Sequence, residues 1–183
     1  MMKMLKSPRV LLVAAVVLAA SVLSAGSAGA TVTTLNAAAA ASVNYEIVNA
    51  NSAYCLTILG DATANGSLVY QAQCKAAPGQ IWMYISYDAA SRWNFYNPHS
   101  GKCLDTSNNH GRAQMYIWSC SIPSTNSNQL FYVLSSGSYT TIRPNWNPGQ
   151  CMGVAGGSLL THMPVVHATC DNSFGQKWYR WPL

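Results

Sequence analysis

Six cysteines, at positions 55, 74, 103, 120, 151 and 170, are the residues with the clearest capacity for covalent chemistry. None stands in a C-x-x-C-like cluster, the spacing on which a structural metal site relies. Their even number instead fits a disulfide framework made in an oxidising compartment. The acidic side chains offer less. There are five, Glu46, Asp61, Asp88, Asp105 and Asp171, and no motif pairs two of them as the carboxylates that glycoside hydrolysis needs about 5 to 9.5 Å apart. No serine lies in a G-x-S-x-G nucleophile elbow. His162 and His167 stand five apart near a strand with no third ligand placed by spacing. These residues point to neither an enzyme nor a metal protein, and they call for no cofactor.

The cysteine spacing carries more. Cys55, Cys103 and Cys151 are separated by 48 and 48 residues, and Cys74, Cys120 and Cys170 by 46 and 50. Behind each pair stands Gln80-Ile81-Trp82, Gln129-Leu130-Phe131 or Gln176-Lys177-Trp178, the glutamines 49 and 47 apart. A period of this length, shared by independent markers in one order, signals internal duplication. The repeat then chooses among the many possible pairings: Cys55–Cys74, Cys103–Cys120 and Cys151–Cys170, one bridge per unit. Each closes a loop of about 20 residues, worth roughly 3 kcal/mol in the chain-entropy model.

The elements that hold these residues read as short strands. Tyr45–Val48, Tyr54–Ile58, Leu68–Tyr70 and Ile81–Ile85 are rich in β-branched and aromatic residues and are separated by turn signals such as Asn65-Gly66. The second unit offers Trp93–Tyr96, Lys102–Asp105, Met115–Ser119 and Leu130–Leu134. The third offers Tyr139–Arg143, Gln150–Val154, Val165–Thr169 and Lys177–Trp181. No stretch after the N-terminal region has helical periodicity. Twelve strands in three groups of four predict a closed barrel with threefold pseudosymmetry rather than a propeller, which usually has at least about four blades.

The N-terminal region reads as an export signal. Lys3, Lys6 and Arg9 precede an apolar run from Val10 to Ser24, and Ala28-Gly29-Ala30 resembles a cleavage site. The run is shorter than the about 20 apolar residues of a membrane span. Residues 1–30 are thus expected to be a signal peptide, 31–44 an Ala/Thr-rich tail, and 45–183 the folded domain, with repeats at about 45–92, 93–138 and 139–183. From residue 31 on, seven basic residues face five acidic ones, a net charge of +2. In the 183-residue chain only 8% of residues are charged, against about 25% in average soluble proteins. So weak a charge excludes a surface built for nucleic-acid phosphates, and the mature chain is expected to be secreted without membrane insertion.

Three C-L-like strands, a second cysteine 17 to 19 residues on, and a terminal Q-x-[WF] in each unit resemble the ricin B-type lectin family across about residues 45–181. The resemblance implies an all-β fold, a β-trefoil of three four-stranded repeats with pseudo-threefold symmetry. Trp82, Phe131 and Trp178 would then fill the barrel axis, a use of large aromatic side chains as core.

The resemblance also implies sugar-binding residues: a carboxylate two after the first cysteine, an aromatic ring two before the second, and an Asn before the motif Gln. At these places the first unit has Thr57, Ala72 and Gly79, and the third has Gly153, Ala168 and Gly175. The second alone has Asp105, Trp118 and Asn128. Asp105 would accept hydrogen bonds from vicinal hydroxyls, Trp118 would stack on the sugar's C–H face, Asn128 would bond a hydroxyl, and Gln129 would hold Asp105 or the loop in place. Tyr116 stands where the family often has Gln. Nine residues separate Cys120 from Gln129, against six in each other unit, so Ser121–Ser127 is expected to shape the rim. Asp105→Ala and Trp118→Ala are both expected to abolish sugar retention while shifting stability by no more than about 1 kcal/mol, as surface changes do. The implied function is a secreted lectin with one pocket for a neutral galactose- or xylose-type sugar. The alternative is a secreted β-trefoil protein-interaction module, an inhibitor or a toxin or envelope partner, without sugar activity. Oligomeric state is left open.

Overall fold

A computed structural model describes residues 43–86, 92–106, 113–121 and 127–183. The proposed signal, Asp88 and most of the Ser121–Ser127 rim lie outside these residues. Among the described residues twelve strands run in chain order: β1 (Asn44–Asn49), β2 (Cys55–Ile58), β3 (Val69–Ala72), β4 (Trp82–Ser86), β5 (Arg92–Asn97), β6 (Lys102–Asp105), β7 (Tyr116–Ser119), β8 (Phe131–Ser136), β9 (Tyr139–Pro144), β10 (Gln150–Val154), β11 (Val165–Thr169) and β12 (Trp178–Pro182). Among the described residues the only helical pieces are three-residue 3-10 turns, and no helix is long and apolar enough to cross a membrane. Each strand falls where the β-branched and aromatic runs predicted one.

Six of the strands close on themselves. β1 pairs with β4, β4 with β5, β5 with β8, β8 with β9, β9 with β12, and β12 with β1, all antiparallel. Closure leaves no free edge in this ring. The other six form the hairpins β2–β3, β6–β7 and β10–β11. Backbone bonds join the hairpins to one another: Val69 N to Met115 O at 3.0 Å, Met115 N to Val165 O at 2.9 Å, and Gln71 N to Met163 O at 2.9 Å. A six-stranded barrel with a layer of hairpins is consistent with a β-trefoil.

The core forms from residues whose strand alternation turns them inward. Trp82, Phe131 and Trp178 are fully buried together with Ile47, Leu56, Phe95, Leu104, Ile117, Ile142 and Met152. A buried indole N–H requires an acceptor. Trp82 Nε1 donates to Leu56 O at 3.0 Å, and Trp178 Nε1 to Met152 O at 2.9 Å. The motif glutamines tie the bridge-closing turns to this core. Gln80 Oε1 accepts from Lys75 N, Gln129 Oε1 from Ser121 N, and Gln176 Oε1 from Asp171 N, at 2.9, 2.9 and 3.0 Å. The three disulfides are Cys55–Cys74, Cys103–Cys120 and Cys151–Cys170, the pairing that the spacing selects.

Candidate functional site

The β6–β7 hairpin sorts its residues by face. Leu104 opposes Ile117, and both are buried in the core. Directly opposed residues share a face, so Cys103 with Trp118 and Asp105 with Tyr116 stand together on the other one. The ring of Trp118 is 46% exposed and meets Tyr116 edge-on, centroids 6.1 Å apart. Its position two residues before Cys120 and at the strand's outer face leaves an open apolar plate.

Asp105 behaves differently from the surface carboxylate expected of it. It is 3% exposed, so the expectation that Asp105→Ala leaves stability nearly unchanged is corrected: the truncation would strand a buried donor. That donor is Gln129 Nε2, which reaches Asp105 Oδ2 at 2.8 Å and Ser119 O at 3.0 Å. Gln129 is thus hydrogen-bonded both to the Asp105 carboxylate and to the backbone of β7. The second carboxylate oxygen, Oδ1, is buried with no hydrogen-bond partner, an unusual state for a buried acceptor. Burial raises the Asp105 pKa above the ordinary value, and hydrogen bonding from Gln129 and Tyr116 works in the opposite direction.

Asn128 enters through a 3-10 turn, Ser127–Gln129. Its carbonyl accepts the Thr106 N–H at 3.0 Å, which ties that turn to the end of β6. All five expected site residues therefore gather at one corner, where β6, β7 and this turn meet. Sequence reasoning missed three supports. Thr106 is fully buried and its hydroxyl accepts Trp146 Nε1 at 2.7 Å. Asn65 Oδ1 accepts the Ser119 N–H at 2.9 Å, and Gly66 lies alongside the Trp118 ring. Asn65-Gly66 was legible as a turn, but nothing in its local pattern marks a contact with another unit.

The matching corners of the other two segments lack the carboxylate, the ring and the amide, although a cavity of about 620 Å³ lined by Ala72 and Gln80 among others opens at the first. Gln80 Nε2 bonds Thr57 Oγ1 at 3.0 Å, so a hydroxyl takes the place of the Asp105 carboxylate. At Gly153 an added Cβ would sit 2.8 Å from Gln176 Cγ and 3.1 Å from Gly175 O. The glycines at the Asn128 position are equally tight: a Cβ on Gly79 would meet Ile58 O at 2.8 Å, and one on Gly175 would meet Gly157 Cα at 2.9 Å. Those approaches bring the 3-10 turns Leu59–Asp61 and Ala155–Gly157 against the turns Pro78–Gln80 and Phe174–Gln176.

The remaining chemical candidates are engaged elsewhere. Glu46 Oε1 accepts Ala76 N at 2.7 Å, Asp61 Oδ1 accepts Gly79 N at 2.7 Å, and Asp171 Oδ1 accepts Ser173 N at 2.8 Å. Glu46 lies within 4.8 Å of the Cys55 and Cys74 sulfurs, but these are spent in a disulfide. His167 bonds Gln150 and packs edge-on against Trp146, while His162 sits exposed in a left-handed backbone conformation, φ 59°.

Residues 43–178 match the family model described as the ricin-type beta-trefoil lectin domain. No curated protein matches the chain. Among solved structures, a designed 3-fold symmetric protein, ThreeFoil, is 21% identical with a TM-score of 0.70, the match covering 76% of this chain and 99% of that one. The C-half of an earthworm R-type lectin, solved in complex with GalNAc, is 14% identical with a TM-score of 0.61, covering 77% and 99%. 1,3Gal43A, an exo-beta-1,3-galactanase from Clostridium thermocellum, is 20% identical with a TM-score of 0.69; 77% of this chain matches 30% of the enzyme. At these identities the likeness speaks for the fold, and the family match spans most of the chain. The chain belongs to the ricin-type β-trefoil lectin family.

Proposed function

We propose that this chain is an exported lectin that binds one neutral sugar of the galactose or xylose type in its second repeat. Carbohydrate binding is what the family supports in general. The reading rests on one observation: a buried carboxylate, fixed by Gln129 through Oδ2 and with Oδ1 unpartnered, on the same hairpin face as a half-exposed indole. A sugar hydroxyl is a donor for Oδ1, and a charge-assisted bond of this kind is about twice as strong as a neutral one. The Trp118 ring gives the sugar's C–H face a flat surface. Asn128 supplies an amide for a further hydroxyl, and Tyr116 takes the place of the family's frequent Gln, which tunes which hydroxyls fit. The galactose-type preference follows the GalNAc and galactan named for the two natural neighbours.

The division into three repeats follows from the cysteine and Q-x-[WF] spacing, and the loss of the carboxylate, the ring and the amide from the first and third repeats supports a single sugar pocket. Three disulfides fit an exported protein, and residues 1–30 supply the signal for it. No catalytic step is assigned: four of the five carboxylates lie in the described residues, each accepting a bond from its own surroundings.

Retention on immobilised galactose, xylose and control resins tests the reading, with free monosaccharide as competitor and a glycan array to widen the search. Retention that is competed by one monosaccharide and lost in Trp118→Ala is the expected result. A blank array together with capture of a defined protein partner would replace the lectin reading with the interaction-module one.

A further inference from the structure

We propose that a cavity beside the Cys151–Cys170 bridge, outside the sugar pocket, is a binding site for a ligand carboxylate. It goes beyond the lectin reading and shares no residue with it. The cavity measures about 370 Å³ and is lined by Thr141, Arg143, Cys151, Cys170, Asp171 and Asn172, a volume within the usual range for small-molecule sites. Arg143 is its cation. Among the described residues its guanidinium makes one long bond, Nη1 to Pro148 O at 3.5 Å, while Nε is buried with no partner. A guanidinium is a planar fork of donors matched to a carboxylate, and a buried donor without an acceptor is costly.

The chain itself shows how such a turn is satisfied. Two residues after Cys74, Ala76 adopts a left-handed conformation, φ 49°, and its N–H is capped at 2.7 Å by the Glu46 carboxylate from β1. Two residues after Cys170, Asn172 repeats that conformation, φ 62°. β9, however, reads Tyr-Thr-Thr-Ile-Arg-Pro and holds no acidic residue. Where the first turn receives a carboxylate from its own chain, the third faces Arg143 and an open cavity. A carboxylate brought by a ligand would meet both. Asp171 also lines the cavity. Its carboxylate is turned to Ser173, whose hydroxyl and N–H hold its pKa below the ordinary range, so it stays ionised and works against an incoming anion.

The test is a titration of the purified, oxidised ¹⁵N-labelled protein with acetate, with D-glucuronate and with D-galactose, read at Arg143 Nε–H and Asn172 N–H. Acetate and glucuronate should each give saturable shifts at both groups, and galactose should give none there. Tighter binding of glucuronate than acetate identifies an acidic saccharide as the source of the carboxylate; equal binding identifies a free carboxylate. Arg143→Gln should weaken binding by about tenfold or more, and Asp171→Asn should tighten it by about twofold, as expected for charge-assisted pairing and removal of a like charge. Absence of shifts at both groups, or unchanged affinity in both variants, overturns the proposal. Loss of galactose shifts at Trp118 would bear only on the sugar pocket, so the two readings fail separately.

Discussion

In the proposed pocket the carboxylate of Asp105 accepts sugar hydroxyls best when ionised, yet its burial favours the protonated form and raises its pKa above the ordinary 3.8. Sugar retention should therefore fall on acidification with a midpoint above that value, measured by binding at graded pH, and the profile should disappear in any variant that retains binding without this carboxylate. Stability behaves oppositely at this residue. The folded chain holds the proton more tightly than the unfolded chain does, so lowering the pH through the folded pKa favours the fold while removing the acceptor. Trp118→Ala should abolish retention with unfolding shifted by no more than about 1 kcal/mol, because the ring is half exposed. Asp105→Ala should lose retention and also cost about 1–3 kcal/mol, since one Gln129 Nε2 hydrogen loses its buried acceptor while the other stays on Ser119 O. Calorimetry on the two variants separates them. These residues stand out as candidates because the resemblance marks their positions and one chain offers three copies for comparison. The burial of Asp105 was not legible in the sequence, since exposure depends on Gln129 and the Ser127–Gln129 turn packed against β6, which pairwise spacing does not reveal.

At the scale of the element, the hairpins and their closing turns decide which corner has room for the polar side chains. Gly153 and Gly175 have no room for a side chain, a Cβ at the first meeting Gln176 Cγ at 2.8 Å. Gly153→Asp should therefore not create a second sugar site. It should instead cost about 1–3 kcal/mol by overpacking, seen as a lower thermal midpoint with binding stoichiometry unchanged. The strand positions followed from β-branched and aromatic runs between turn residues. The contact of the Asn65-Gly66 turn with Ser119 and Trp118 did not, because it joins hairpins whose sequences are separated by about one repeat and no local pattern encodes it. Asn65→Ala should weaken sugar binding modestly, by about threefold, through loss of a bond to the Ser119 amide that is worth about 1 kcal/mol. The same titration of the wild type, read at the Trp118 indole N–H resonance, is the reference.

For the whole molecule, six barrel strands and three bridged hairpins distribute stability around one core. Replacing Cys55 and Cys74 together by alanine should cost roughly 3 kcal/mol by the chain-entropy model, read from denaturant unfolding. Pairing could be foreseen because the bridges repeat with the chain; barrel closure could be foreseen only as a count of strands, since register is a long-range property. One proposed pocket per chain should give weak binding, in the micromolar to millimolar range of about −8 to −4 kcal/mol, without the avidity of linked sites. The chain has six tryptophans, so their indole N–H resonances report where a sugar lands. Titration with galactose or xylose should shift the Trp118 resonance to saturation at one sugar per chain and leave the buried Trp82 and Trp178 signals in place. Saturable sugar binding with the Trp118 signal unmoved would contradict the account.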